Sequence, residues 1–245
     1  MNALANEARI VLGQLKVDDK SNAIDAIAEL LSLLDLKGAI VSIDAMGAQP
    51  EIASAIQAGG ADYALWLKGN QPTLYEDVRL FFEQPPFKAC DRFNTAIEAD
   101  KGHGGFEQRT CIATDPIDWL IALHPNWFPL KSLVRMERTR DLDGQQTTET
   151  SYYLSSLAAE AKALLKALRG HWGLENSLHW VLDMSFGEDQ CRIRKPNAPQ
   201  NMAILRQVAF NLIRPVKPTR KSVKRYRKMA GWTDDVLDSI LLQKH

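Results

Sequence analysis

The apolar positions of this chain change period three times. In the first third, strand-like runs alternate with helix-like ones. Arg9 to Val17 is strand-like and ends in the polar turn Asp18-Asp19-Lys20-Ser21-Asn22. Ile24, Ile27, Leu30, Leu31 and Leu34 then fall on one face of a helix, with Asn22 as N-cap and Lys37-Gly38 as its stop. Ala39 to Ile43 is a short apolar strand running straight into Asp44. Pro50 opens a helix carrying Ile52 and Ile56 that halts at Gly59-Gly60, and Tyr63 to Leu67 is a further strand. Thr73 and Glu76 have capping-box spacing for a helix through Phe82. This alternation predicts parallel crossovers in an α/β layer.

From Phe87 the helical period fades. Phe93–Glu98, Phe106–Ala113, Ser132–Arg140 and Thr147–Leu154 read as strands, with a short helix near Trp119–Leu123. Helical spacing returns at Leu157–Leu168, which runs up to Arg169-Gly170. It continues at Leu174–Met184, and again after Pro199, where Met202, Leu205, Ala209 and Leu212 share a stripe; Thr233 caps a last short helix. The chain thus divides into an α/β part over 1–86, a β-rich part over 87–155 and a helical part over 156–245.

Two stretches carry candidate chemistry. Asp44 follows a buried strand, where α/β folds place their sites, and Ala-Met-Gly after it lets the backbone turn away. A carboxylate there suits a metal; it equally suits a cap on the next turn. In the helix from Leu174, the apolar residues Leu174, Leu178, Val181 and Leu182 form one stripe. His171, Glu175, His179 and Asp183 run along its border in i, i+4 steps. Such a helix presents acid–base or metal-binding groups to a cleft, or is a packed helix with a polar flank.

Charge adds a partner. The chain carries 30 basic and 30 acidic residues. No Asp or Glu occurs from Gln190 through Thr233, where twelve Lys or Arg do, eight of them between Arg214 and Lys228. A block of this kind meets a polyanion, most simply nucleic acid, or is a solvated basic tail. Cys90, Cys111 and Cys191 are odd in number and include no Cys-x-x-Cys pair, which argues against a disulfide framework and fits a reducing cytoplasm. No apolar run approaches the ~20 residues of a membrane span, and the N-terminus lacks signal-peptide order, so the expectation is a cytoplasmic protein without a membrane partner. The basic block disfavours a metal hydrolase of small substrates. His171 and His179 lack the His-Glu-x-x-His order of zinc proteases.

Three motifs in order then carry a resemblance: Ser42-Ile-Asp44-Ala-Met-Gly-Ala-Gln49, Leu67-Lys68-Gly-Asn-Gln-Pro-Thr-Leu74, and Arg169-Gly-His171-Trp-Gly-Leu-Glu175-Asn176-Ser-Leu-His179-Trp-Val-Leu-Asp183, with Glu188-Asp189 and Arg192 behind. Over nearly its whole length the chain resembles bacterial insertion-sequence transposases of the H-repeat-associated group, which are DDE-type enzymes. The resemblance implies a ribonuclease-H-like core with a β-rich insertion before the catalytic helix and a basic helical C-terminus. It implies metal-dependent hydrolysis and strand transfer of DNA phosphodiesters by two Mg²⁺ or Mn²⁺ ions, which take carboxylate oxygens. Double-stranded DNA is the implied partner, and a homo-oligomer is implied by analogy.

By the same resemblance Asp44 and Glu175 are the second and third catalytic, metal-holding acids. His171, Asn176, His179 and Asp183 support them. Lys68 and Arg169 would meet phosphates, and Arg192, Arg194, Lys221, Lys224, Arg225, Arg227 and Lys228 of the basic block are expected to join them on DNA. The family's first aspartate, in an Asp-Gly-Lys context, has no counterpart here, and Asp18 and Asp19 do not replace it. The expectation is therefore a core incomplete at its N-terminal strands, a chain shortened at its N-terminus, an open sheet edge, a weakened two-metal site and impaired catalysis. The alternative is a non-catalytic, DNA-binding transposase remnant.

Overall fold

A computed structural model describes residues 2–15, 23–86, 91–102, 105–127, 129–142, 144–174, 178–195 and 197–243. It divides into two compact units, one of Asp19–Arg169 and one of Met1–Asp18 with Gly170–His245.

The first unit is built on a six-stranded mixed sheet. Its strands are β3 (Ile40–Ile43), β4 (Asp62–Leu67), β5 (Asn94–Gly102), β6 (Gly105–Thr114), β7 (Ser132–Leu142) and β8 (Gln145–Ser155), in the order β3-β4-β8-β7-β6-β5. Helices α1 (Ala23–Ser32), α2 (Pro50–Ala58), α3 (Pro72–Glu83), α4 (Asp118–Leu123) and the start of α5 (Ala161–Leu174) accompany it. β3 and β4 are parallel, joined through α2, as the alternating pattern requires. β8 then runs antiparallel to β4, and β5 to β8 continue as an antiparallel meander of the same sheet.

Alternation along the strands serves two faces. Ala64, Cys111, Ala113, Val134, Met136 and Tyr153 face Leu164, Leu165 and Leu168 of α5 in one dry cluster. On the opposite side α3 brings Tyr75 and Phe82 against Tyr152, with ring centroids 5.6 and 5.9 Å apart. Two buried hydroxyls, Ser155 and Ser156, close the β4–β8 seam, and a third, Ser132 of β7, ties the chain leaving β8. Ser155 Oγ donates to the Tyr63 carbonyl (2.8 Å), Ser156 Oγ accepts from Tyr63 N–H (2.9 Å) and donates to Asp62 (2.8 Å), and Ser132 Oγ donates to the Leu157 carbonyl (2.8 Å).

In the second unit, β1 (Asn2–Ala5) and β2 (Ile10–Gln14) form an antiparallel pair of their own. The strand expected over Arg9–Val17 is therefore present, but among the described residues it is not part of the parallel series. Its backbone is satisfied elsewhere: Asn211, on α7 (Ala198–Val216), accepts from Val11 N–H and donates to Val11 C=O, both at 2.8 Å. Val11 thereby joins a core with Leu178, Val181, Leu182, Phe210, Ile213, Val223, Tyr226 and Ile240. That core is shared by α6 (Trp180–Phe186), α7, α8 (Val223–Ala230) and α9 (Asp234–Leu241).

Four local expectations are corrected. The capping box is not formed: Gln71 is the N-cap and Pro72 takes the first helical position, so Thr73 sits two places too deep, and Glu76 binds Arg79 instead. Thr233 is the N-cap of α9 by position, but its hydroxyl bonds nothing there; the side chain that does cap is Ser222, which accepts from Arg225 N–H at 3.2 Å. Gly170 does not end its helix. α5 runs through it to Leu174, and a Cβ at Gly170 would fall 2.8 Å from the Asn6 amide, so the glycine there serves close approach. On α7 the buried residues are Gln207, Phe210 and Ile213, while Leu205 is 59 % exposed. That helix carries apolar residues on several faces, so the pattern alone picked the wrong stripe. Asn211 and Gln207, which donates to Asn2 at 2.9 Å, fix its rotation. Asn22, expected to cap α1, lies outside the described residues.

Candidate functional site

The structure brings two of the three motifs together at the carboxyl ends of the parallel strands. β3 and β4 are in register, with Ile43 opposite Leu65, so the segments leaving them, Asp44–Gln49 and Lys68–Gln71, are neighbours. Side-chain amides tie them. Asn70 donates to the Ala45 carbonyl (2.6 Å), and Gln71 donates to the Ala48 carbonyl (3.4 Å) and to Gln49 Oε1 (3.0 Å). Lys68 lies over the Trp66 ring, 3.6 Å from its centroid, which holds the ammonium at the strand end.

Asp44 stands at the mouth of this braced pair of loops. Its backbone is extended (φ −65°, ψ 175°), it precedes the short 3₁₀ turn Ala45–Gly47, and its carboxylate makes no capping hydrogen bond to that turn. Asp44 is thus the N-cap of the turn by position, with its carbonyl accepting from Gly47 N–H (3.1 Å), while its side chain caps nothing there. The carboxylate is exposed and keeps its acceptor sites for a ligand. The turn behind it is tight because a glycine permits it: a Cβ at Gly47 would lie closer than 3.0 Å to Ile43 Cγ2 and 3.1 Å from Ile27 Cδ1.

The third motif is described on either side of its centre. His171 is half-buried in the last turn of α5. Glu175 and Asn176 lie outside the described residues. Beyond them Leu178 is buried and His179 exposed, and α6 carries the half-buried Asp183. α6 ends in a left-handed glycine cap: Gly187, at φ 64°, donates to the Asp183 carbonyl (3.0 Å), and Glu188 N–H donates to the Leu182 carbonyl (3.2 Å). This folds Glu188 back beside its own helix. Burial there raises its pKa; Arg206 opposes the rise, and the nearby Asp183 and Asp189 add to it. Glu188 is the acid whose environment the sequence did not disclose, although the Phe-Gly-Glu order after an apolar helix is a legible signal for such a return. Among the described residues no three His, Cys, Asp or Glu side chains converge as a metal-binding group.

The basic candidates differ in what surrounds them. Arg169 pairs with Glu98 (2.7 Å) and Asp100. Arg194 donates to the carbonyls of Cys191 (2.9 Å) and Ile193 (3.0 Å), and Arg192 is exposed beside it. Lys221 lies 5.9 Å from the Tyr226 ring centroid and Arg227 5.0 Å from that of Phe186. Lys224, Arg225 and Lys228 point to solvent from α8.

Comparison with known proteins agrees with the motifs. Residues 1–212 match the family model described as a transposase DDE domain. The chain is 36 % identical to "Putative protein YbfL" of Escherichia coli K12, 37 % to "Putative transposase YncI" of Escherichia coli O157:H7 and 36 % to "H repeat-associated putative transposase YhhI" of Escherichia coli K12. In each case 98 % of this chain is covered, against 65, 62 and 65 % of the relative, so the chain spans just under two thirds of their length. That family works on DNA and uses divalent metal ions in general, and its mixed α/β core agrees with the sheet described above. With its strand-end aspartate and matching motifs in order, this chain belongs to the DDE-domain transposases and resembles their H-repeat-associated members.

Proposed function

We propose that the chain acts on DNA as a transposase polypeptide in which Asp44 is a metal-holding carboxylate, with Glu175 as its partner acid. The observation that carries this is the Asp44 carboxylate, uncapped and exposed at the end of a parallel strand, in a loop braced by Asn70 and Gln71. A hard, unpaired oxygen donor fits Mg²⁺ or Mn²⁺. When bound, such ions polarise a phosphodiester and activate the attacking oxygen. The protein's share is to hold the acids still. His171, Asn176, His179 and Asp183 support the glutamate segment. Lys68 and Arg169, with Arg192, Arg194 and the basic residues Lys221 to Lys228, neutralise phosphates. For Arg169 this means exchanging Glu98 and Asp100 for DNA. In this reading the β5–β8 meander is the β-rich insertion of a ribonuclease-H-like core.

A second reading, a DNA-binding protein without catalysis, is favoured by the exposed cations Lys224, Arg225 and Lys228 of α8, which bind phosphates without any acid. One experiment separates them. Supercoiled plasmid carrying candidate terminal repeats is incubated with the chain and Mn²⁺, beside Asp44→Asn and Glu175→Gln. Metal-dependent nicking lost in both variants supports the enzyme. Retention of DNA by all three proteins without nicking supports the second reading, and nicking that survives both substitutions removes these acids from the chemistry.

A further inference from the structure

The α8–α9 corner carries an aromatic residue that the basic block alone does not explain. Val223 and Tyr226 turn into the core, and the Tyr226 hydroxyl shares a hydrogen bond with Ser239 Oγ at 2.9 Å, which fixes the rotation of α8 about its axis. Lys224 and Lys228, one turn apart, and the adjacent Arg225 are thereby presented outward. The helix then stops at Gly231. Its N–H returns to the Lys228 carbonyl (3.1 Å), and the N–H groups of Trp232 and Thr233 return to the Met229 carbonyl (2.9 and 3.0 Å). This tight exit lays Trp232 alongside the basic face. Together Ser222, Lys224, Arg225, Lys228, Met229 and Trp232 line an open basin of about 500 Å³.

Trp232 is 78 % exposed, more than any other large apolar side chain among the described residues. An indole left in water beside three cations, with no acid lining the basin, is arranged for a ligand that is flat on one part and anionic on another. Bases inside a duplex are stacked on one another and closed to it; an unpaired base offers its face. The charged side chains lining the basin are all cations of α8, so a phosphate is drawn toward α8 and the base is left to the indole.

We propose that this basin binds an unpaired nucleotide of single-stranded DNA: Trp232 stacks the base while Lys224, Arg225 and Lys228 hold its phosphates. The assignment rests on the DNA reading above and adds to it a discrimination between single strand and duplex.

The test uses the full chain and two fluorescein-labelled DNAs, an oligothymidylate and a duplex of equal length, with binding followed by anisotropy over a range of salt. Trp232→Ala weakens oligothymidylate binding about ten-fold, the scale of one base–aromatic stack, and leaves duplex binding within about two-fold. Trp232→Phe keeps most of the affinity, and Lys224→Gln with Lys228→Gln weakens both DNAs and flattens their salt dependence. Because Trp232 is exposed, circular dichroism of the variants stays that of the parent. Equal losses on both DNAs, or none on oligothymidylate, overturn the stacking site while leaving DNA binding intact. If the parent chain binds neither DNA, the DNA reading falls and this inference with it.

Discussion

Gly47 offers the sharpest test of how the strand-end carboxylate is placed. An added methyl would meet Ile43 Cγ2 closer than 3.0 Å, Ile27 Cδ1 at 3.1 Å and Ile43 Cβ at 3.3 Å. These groups have little room to give: Ile27 is buried on α1, and the Ile43 contacts are its Cβ and the Cγ2 attached to it, at the last residue of β3. Overpacking of this kind costs about 1–3 kcal/mol. Replacing glycine by alanine also removes freedom from the unfolded chain, which offsets about 0.4–1 kcal/mol. The balance is a loss of about 1–2 kcal/mol for Gly47→Ala. Gly69→Ala is the control: nothing lies within 4 Å of its Cβ, in the loop that braces the Asp44 segment. It is expected to be neutral or slightly stabilising. Urea unfolding of both variants and the parent measures the difference, and Mn²⁺ titration calorimetry reports whether the turn has shifted Asp44. Adding Ile43→Ala to Gly47→Ala recovers part of the loss, because the clash partner is gone, and the double-mutant cycle isolates that coupling. Equal stability of Gly47→Ala and Gly69→Ala would refute the packing argument.

Three further outcomes follow from named contacts. Asn211→Ala leaves both backbone groups of Val11 without their partner and costs about 2–3 kcal/mol in urea unfolding; Asn211→Asp rescues only the Val11 N–H, and a variant as stable as the parent contradicts the bracket. In alkylation followed by peptide mass mapping, Cys191 reacts well before Cys111: Arg206 lowers the Cys191 thiol pKa, whereas burial pushes Cys111 up to about 12, so comparable rates at pH 8 contradict this. Glu188, whose folded pKa is raised chiefly by burial, contributes stability that is complete below its ordinary value near 4.5 and is lost as pH rises through the folded value. Glu188→Gln is therefore more stable than the parent at pH 7, and the two converge toward pH 3 in thermal melts; a gap that persists at pH 3 contradicts the assignment.

Much of this protein is legible one segment at a time. Period-two and period-3.6 patterns place β3, β4, the four strands of the meander and most helices, because each element buries one face and its apolar spacing records which face. Pro50 and Gly59-Gly60 mark boundaries because a ring-locked φ or a missing Cβ acts locally. The motifs too are local: the order of Asp44, Lys68 and Glu175 is enough to reach the family.

Other features depend on partners far along the chain. No property of residues 10–14 states that their backbone is satisfied by Asn211, about two hundred positions away, and so the strand pattern there could not say which sheet it joins. The rotation of α7 has the same cause, since several of its faces are apolar and the choice falls to polar anchors on β1 and β2. That the Asp44 carboxylate makes no cap bond, that Asn70 and Gln71 brace its loop, and that Gly231 lays Trp232 against a basic helix are outcomes of packing. Sequence determines which side chains are available and on which face of an element they lie. Only the tertiary structure decides which of them stay exposed after packing, and Asp44 and Trp232, which do, are where we place the proposed ligands.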